Sequence, residues 1–452
     1  MLLSFALLWV LWPFALRCCF FAGFTLEAAR SRSMHETQAG LTERLYYTDA
    51  YLRTFDAHIV QVRTDGARTH VALDRSAFYP TSGGQPHDTG MLAGARVVDV
   101  TADDGTVWHT LEGEPAAGLT VGVAVEGAID WPRRYDFMQQ HAGQHLLSQV
   151  FDSLFGYETV SVHFGPTEST LDLDTPALDT AQIDAAEQQA HAQIYAALPI
   201  HAYFVDAVQV AALPLRRPPK VSGAIRIVEI AGYDYSACGG THVRTTAEIG
   251  PIKVVRSERR RGQVRLTFLC GGRAVADYGR KHTLLQEAAA LFSTDIAQVP
   301  ALAERALTQS KEAQRQVEDV TARLMTYTAR ELLGASAAHA PAAHELCVIT
   351  TLRDDLDATA LRTLAGALVA DAGEANRVAL LASTQGGKLL LAFARCGASA
   401  AHLHMGNLLR ATLQQAGGNG GGRPDFAQGG GVESAEAERL LAWARAQVES
   451  NA

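Results

Sequence analysis

Hydrophobic positions along this chain switch period several times. From Arg44 to Ile129 they come in short alternating runs. Phe55-Asp-Ala-His-Ile-Val-Gln-Val-Arg63 and His70-Val-Ala-Leu-Asp74 are two of these. Asp65-Gly66, Asp88-Thr-Gly90 and Asp104-Gly105 supply turn signals, and the last separates a strand pair at Arg96–Thr101 and Thr106–Leu111. This pattern predicts a small β-barrel-like unit over residues 34–130. From Arg134 to Phe151 the period becomes helical, with Phe137, Met138, Leu146, Leu147, Val150 and Phe151 as the apolar positions. Strand runs follow at Thr159–Phe164, Ser169–Asp174, Ile200–Val205 and Ile225–Ile230, with an amphipathic helix over Leu178–Ala197. Residues 131–272 therefore read as an α/β domain.

Residues 273–334 carry few glycines and mixed charge. They predict a hairpin of helices broken near Val299-Pro300, a spacer or dimer element. Ala335–Ala343 is an Ala-rich linker. Buried-strand runs at Leu346–Thr351, Arg377–Ala382 and Leu389–Ala394 then alternate with helical stretches, so residues 335–452 predict a compact α/β domain. Within it, Gly417–Gly431 reads as a loop whose backbone amides form a nest for an RNA phosphate or sugar, with Arg423 adding a charge. The fold class is thus α+β multidomain.

The chemistry concentrates in two short pieces. His141-Ala-Gly-Gln-His145 lies in the predicted helix, where residues four apart share a face. Cys238-Gly-Gly-Thr-His242 holds two consecutive glycines and reads as a tight loop after the strand Ile225–Ile230. Two imidazoles from a helix, with a thiolate and an imidazole from a loop, make a tetrahedral Zn²⁺ set of His141, His145, Cys238 and His242. Either motif alone is commonplace, a surface histidine pair or a turn with a buried thiol. Their conjunction points to one zinc per chain. His163, His191 and His201 read as surface or strand histidines.

In this order and spacing the two motifs resemble the editing domain shared by alanyl-tRNA and threonyl-tRNA synthetases, and above all the long type of free-standing alanyl-tRNA editing proteins. Phe78-Tyr-Pro-Thr-Ser-Gly-Gly-Gln-Pro86 resembles that family's Gly-rich motif, and Gly250-Pro-Ile-Lys253 follows the Cys/His loop as it does there. The Gly417–Gly431 segment resembles the C-terminal domain of alanyl-tRNA synthetases, so its Gly420, Gly421, Gly422 and Arg423 become candidate tRNA contacts. The resemblance spans about Thr42 to Val448.

It implies a trans-editing hydrolase that cleaves serine, and glycine as a further candidate, from the tRNA for alanine. A pocket for alanine rejects serine poorly, whereas an editing site can hydrogen-bond the serine hydroxyl. Thr81, Ser82, Thr159 and Ser161 are candidate partners for that hydroxyl, with Gly83 and Gly84 bringing backbone close to the substrate. Gln85 and Gln144 are candidates to orient the substrate. Neither is a competent base, which leaves that role to water or to a hydroxyl of the tRNA. A closed four-ligand site is usually structural. Catalysis there needs a fifth position, a displaced ligand, or a metal that only positions the substrate.

The alternatives are a threonyl-type editor, against which the Gly-rich C-terminal domain argues, and a tRNA-binding module without activity, against which the intact ligand set argues. A synthetase catalytic domain does not fit ahead of the barrel. The partner is mischarged tRNA, with a homodimer through the helical hairpin and no membrane partner.

Composition sharpens this. The 452 residues carry a net charge of −9, which excludes a polyanion binder working by overall charge. RNA contacts must be local, and Arg256-Ser-Glu-Arg-Arg-Arg-Gly262 is either a solvated hairpin tip or a phosphate contact. Six sparse cysteines exclude a disulfide framework. Residues 1–33 form an apolar leader that reads literally as a signal peptide or anchor. It lacks a preceding positive charge, and Pro13 and Arg17 interrupt it. The expectation is a spurious leader, a true start at Met34 and a cytoplasmic protein.

Overall fold

The structure is a computed structural model that describes residues 41–66, 68–113, 118–219, 223–337, 346–370 and 375–451. The leader 1–33 lies outside the described residues, as does the linker from residue 338 onward. The chain forms two compact units, the first ending at Thr283 and the second starting at Leu284.

In the first unit, six strands close a barrel: β1 (Thr54–Asp65), β2 (Arg68–Leu73), β3 (Gly90–Leu92), β4 (Ala95–Asp103), β5 (Thr106–Leu111) and β6 (Ala124–Ile129). Their order around the barrel is β1-β2-β5-β4-β3-β6. Alternation along β1 sends Phe55, Ala57 and Ile59 inward, where they meet Val71, Leu73, Val97, Val100 and Leu111. Asp104 and Gly105 both have positive φ (43° and 82°), the two-residue hairpin that an Asp-Gly pair favours. Asp88–Gly90 is not the turn that its composition predicts. Asp88 is buried and accepts from Tyr79 N at 2.6 Å, and Gly90 begins β3.

Helix α1 (Trp131–Phe155) starts with Pro132 in its first turn and ends at Gly156, whose φ of 69° is the left-handed cap glycine suits. Its middle is buried on all sides. Phe137, Met138, Leu146, Val150 and Phe151 share one core with helix α2 (Thr180–Tyr195) and with a four-stranded sheet. That sheet has the order β12-β13-β8-β7, from β7 (Thr159–Phe164), β8 (Ser169–Leu173), β12 (Ile252–Arg260) and β13 (Gln263–Cys270). Asp179 caps α2 in a reciprocal box with Gln182. A three-stranded sheet, β9 (Ile200–Val205), β10 (Ile225–Ile230) and β11 (Asp234–Ala237), delivers the Cys238 loop. The loop thus follows β11, a short strand that sequence reasoning missed, rather than β10 directly. The basic run at Arg256–Gly262 is the β12–β13 hairpin, with Arg261 and Gly262 in its turn.

Barrel and α1 are joined by a buried ion pair. Arg134 is 0% exposed, and its Nε donates to Asp88 Oδ1 at 2.9 Å while its Nη1 donates to Ala50 O at 2.9 Å. Nη2 adds bonds to Asp88 and to Ala77 O. Removing either partner of such a pair costs roughly 3–5 kcal/mol, because the other charge stays buried and uncompensated.

Helix α3 (Gly272–Leu291) runs across the unit boundary, and α4 (Val299–Ala337) belongs to the second unit. Pro300 starts α4 rather than breaking a helix, as proline's missing N–H favours. The second unit carries a five-stranded sheet. It uses β14 (Cys347–Arg353), β15 (Arg377–Gln385), β16 (Lys388–Cys396), β17 (Asn419–Gly422) and β18 (Phe426–Glu433), ordered β14-β15-β16-β18-β17. Helix α5 (Ala358–Val369) packs on one core, and α6 (Met405–Gln414) and α7 (Ala437–Ser450) on another.

The Gly417–Gly431 segment is therefore not a loop. Gly420 to Gly422 lie in β17, paired with Gly429, Gln428 and Ala427 of β18. The glycines serve close packing. A Cβ on Gly420 would lie 2.7 Å from Leu413 Cδ1 and 2.8 Å from Gly429 Cα. The ladder takes the backbone groups on the side that faces β18, and extended strand does not turn successive amides toward one point as a nest does. Arg423, exposed at the hairpin tip, faces Asp425 at 3.4 Å.

Candidate metal and editing site

The two motifs converge as their spacing suggests. One ligand atom from each of His141, His145, Cys238 and His242 lies within 4.8 Å of all the others. Cys238 Sγ stands 3.4 Å from His141 Nε2 and 3.4 Å from His242 Nε2. Three imidazoles and a thiolate at this spacing are a donor set suited to a small divalent cation of zinc's kind.

Local sequence explains how the set is built. Gly143, between the two helical histidines, is required because a Cβ there would lie 2.3 Å from Cys270 Sγ. Gly240 is required for the same reason, as its Cβ would lie 2.2 Å from His141 Cε1. Arg226 Nη1 donates to Cys238 O and to Gly240 O, both at 2.9 Å, and so pins the loop.

Burial pushes the Cys238 thiol up, but the imidazoles around it, His141 foremost, outweigh burial and hold it well below its ordinary value. Burial pulls His242 down to about 3. For His145 burial also acts downward, yet the Cys238 charge and the Asp234 carboxylate prevail and raise it to about 9.

Each predicted site residue has a definite place. Gln85 is buried, and its Oε1 accepts from Thr241 N at 3.2 Å and from His141 Nδ1 at 2.8 Å. Its Nε2 donates to Thr241 Oγ1 at 2.8 Å. These bonds tie its amide to the Cys/His loop and to the His141 ring. Gly83 and Gly84, with φ of 56° and 84°, form the two-residue turn between Ser82 and Gln85 that aims this side chain.

Gln144 points instead to Ser148 Oγ at 2.7 Å, which also accepts from Thr159 Oγ1 at 2.7 Å. Ser161 donates to Asp172 at 2.5 Å, a carboxylate held by Arg265. Thr81 bonds His87 at 3.1 Å. Of the predicted substrate contacts, Ser82 lines the cleft that opens on the site.

That cleft has a volume of 600 Å³ and reaches Cys238 and His145. Its walls include Tyr47, Arg216, Arg217 and Arg226, none of which sequence reasoning selected. The adjacent Arg216-Arg217 ahead of Pro218-Pro219 was the one local signal available. Asp234 was also missed. It lies 3.3 Å from His145 Nδ1, accepts from Ser236 Oγ at 2.9 Å and pairs with Arg216 Nε at 3.1 Å.

Known proteins fit this picture. The profile described as "Threonyl and Alanyl tRNA synthetase second additional domain" matches residues 225–266, and the DHHA1 domain matches 345–450. The class II (A) tRNA synthetase profile matches 25–133, beginning ahead of Met34. The chain is 37% identical to alanyl-tRNA editing protein AlaX-L of Pyrococcus horikoshii over 52% of this chain and 60% of that protein. Against an alanine–tRNA ligase of Pyrobaculum neutrophilum identity is 32%, over 86% of this chain and 42% of the ligase. The chain thus spans less than two thirds of the length of each of these two relatives.

A solved C-Ala domain of Aquifex aeolicus alanyl-tRNA synthetase matches at 24% identity over 23% of this chain and 95% of that one. Its TM-score of 0.20 carries no argument. Alanyl-tRNA editing protein AlaX-M of Methanosarcina acetivorans is 35% identical, with 49% of this chain covering 95% of it. With almost the whole of that shorter relative matched, the chain belongs to the family of alanyl-tRNA editing proteins.

Proposed function

We propose that this chain is a trans-editing aminoacyl-tRNA hydrolase that removes serine from mischarged tRNA(Ala). The observation that carries the reading is the His141/His145/Cys238/His242 cluster at the end of an arginine-walled cleft. Zinc held by these four side chains would supply a Lewis acid for the ester carbonyl or a lowered water pKa.

The rest falls to the chain's own groups. Arg226 lines the cleft without an acidic partner among the described residues, and Arg217, in a loose pair with Glu158 at 3.4 Å, can turn to a phosphate at the end of a tRNA, while Arg216 is held by Asp234. Ser82, on the same wall, offers a hydroxyl to the serine side chain, while Thr81, Thr159 and Ser161 are spent on internal bonds. Gln85 keeps the His141 Nε2 turned toward Cys238.

In the second unit the tRNA contact we favour is the tip of the glycine hairpin, not its amides. Arg423 is exposed there, Arg395 Nε reaches Pro424 O at 2.9 Å, and Arg410 lies beside Gly421. Exposed apolar residues Val317, Val320, Leu324 and Tyr327 of α4, spaced three and four apart, support a homodimer through that helix, to be tested by sedimentation.

The deciding experiment is deacylation of seryl-, glycyl- and alanyl-tRNA(Ala) by the full chain. The expected order is seryl fastest and alanyl slowest. A chain that binds tRNA(Ala) but hydrolyses none of them is a binding module instead.

A further inference from the structure

The three imidazoles of the cluster do not have equivalent surroundings. A histidine that ligates a metal through one ring nitrogen is oriented by what its other nitrogen meets, and a carboxylate there also raises its basicity. His145 Nδ1 has a carboxylate, Asp234, at 3.3 Å. Asp234 is 1% exposed and itself fixed by Arg216 Nε at 3.1 Å and by Ser236 Oγ at 2.9 Å. Arg216 Nη2 donates to that same Ser236 oxygen at 3.0 Å, so these two side chains together lock the carboxylate in place. His141 Nδ1 has a neutral partner, the Gln85 amide oxygen at 2.8 Å. Neither His145 Nδ1 nor His242 Nδ1 makes a regular hydrogen bond, so what separates them is charge: His145 faces the Asp234 carboxylate, whereas His242 Nδ1 is buried with no ion pair among the described residues. His242 also borders a second, smaller cleft of 170 Å³, on whose walls stand Tyr47, Tyr51 and Arg244.

We infer that the ligands are ranked, with Asp234 acting as the positioning residue that makes His145 the anchor, and His242 the weakly held ligand beside a space that can receive its ring. The inference rests on the zinc reading given above. Four protein ligands leave no position for substrate or water. A ranked set states which side chain gives way, and it is the one whose buried outer nitrogen has neither a carboxylate nor an amide oxygen beside it.

The two ends of the ranking differ in what they adjoin. Arg216, which holds Asp234, stands in the wall of the large cleft, so the anchor is braced from the side on which substrate enters.

The test is zinc affinity of the full-length chain, measured by competition with a chelator of known affinity, together with the visible spectrum of the cobalt-substituted protein. Asp234→Asn keeps the size of the side chain and removes its charge. It is expected to weaken zinc about 10–100-fold, the usual effect of losing an outer partner. His242→Ala is expected to retain one metal per chain, with a smaller loss than His145→Ala and a cobalt spectrum of altered intensity. If His145→Ala does not fold, Asp234→Asn against His242→Ala carries the comparison. Asp234→Asn with zinc affinity within about twofold of the wild type overturns the ranking, and so does a His242→Ala protein that holds no metal. A wild-type chain that takes up no zinc overturns the metal reading itself, and the ranking with it.

Discussion

At Gly240 a missing side chain leaves room for a histidine ring, and at Gly420 and Gly429 it leaves room for a helix. A Cβ on Gly240 would strike His141, whereas one on Gly429 would lie 2.6 Å from Leu413 Cδ1 and from Gly420 Cα. Both segments are glycine-rich, and both depart from what glycine alone suggests. The first is a ligand loop whose backbone serves a reactive cluster. The second is ordinary sheet, with glycine chosen so that α6 can lie close on β17 and β18. Glycine content marks where two parts of a protein come close, without saying whether the neighbour is a functional group or a core.

Four substitutions sharpen this contrast. The largest effect is expected from Cys238→Ala, which removes the one thiolate of the cluster. Zinc content should fall from about one per chain and deacylation of seryl-tRNA(Ala) should cease. Full activity with no metal would remove the site assignment.

Next comes Gly240→Ala, whose new methyl displaces His141. Zinc affinity should drop by about 100-fold, the upper end for a disturbed ligand environment. Gly239→Ala is its control, since nothing lies nearer to that Cβ than Tyr47 Oη at 3.4 Å. Equal behaviour of the two variants would mean that the close approach at Gly240 is not what the loop needs.

Gly420→Ala should overpack the second unit at a cost of about 1–3 kcal/mol. Amide exchange in β17 and α6 should quicken while zinc content stays at the wild-type level. Loss of zinc in this variant would break the separation of the two roles.

The smallest effect is expected from Arg423→Ala. The residue is 76% exposed, so stability should move by less than about 0.5 kcal/mol. If the hairpin tip meets a phosphate, the salt dependence of tRNA(Ala) binding should lose about one unit of slope. An unchanged slope would leave the tip without a role in binding.

What could be read from the sequence was what is local in it. The His141/His145 pair is visible because a helix puts residues four apart on one face, and the Asp104-Gly105 hairpin because only certain residues tolerate its φ values. The outer partners were invisible. Asp234 and Arg216 meet His145 from a strand and a loop many residues downstream, and no period or spacing links an aspartate to a histidine across that distance. Gln85 was selected by type, but its tie to His141 and Thr241 was not legible, since those partners come together only in the folded chain. The glycine hairpin was misread because strand propensity counts against glycine. The neighbour that makes glycine necessary, Leu413 on α6, sits outside any local window.

The buried pair of Arg134 and Asp88 bears on where this protein can be cut. A boundary drawn between residues 130 and 131 looks natural, because a barrel ends there and a helix begins. A fragment starting at Trp131 would carry Arg134 without Asp88, Ala77 or Ala50, the acceptors of five donor bonds. It would also lose Gln85, the brace of His141. The shortest piece worth expressing for zinc binding or crystallisation therefore keeps the barrel, and a library that shuffles barrels between relatives must carry Asp88 and Gln85 along with the helix they serve.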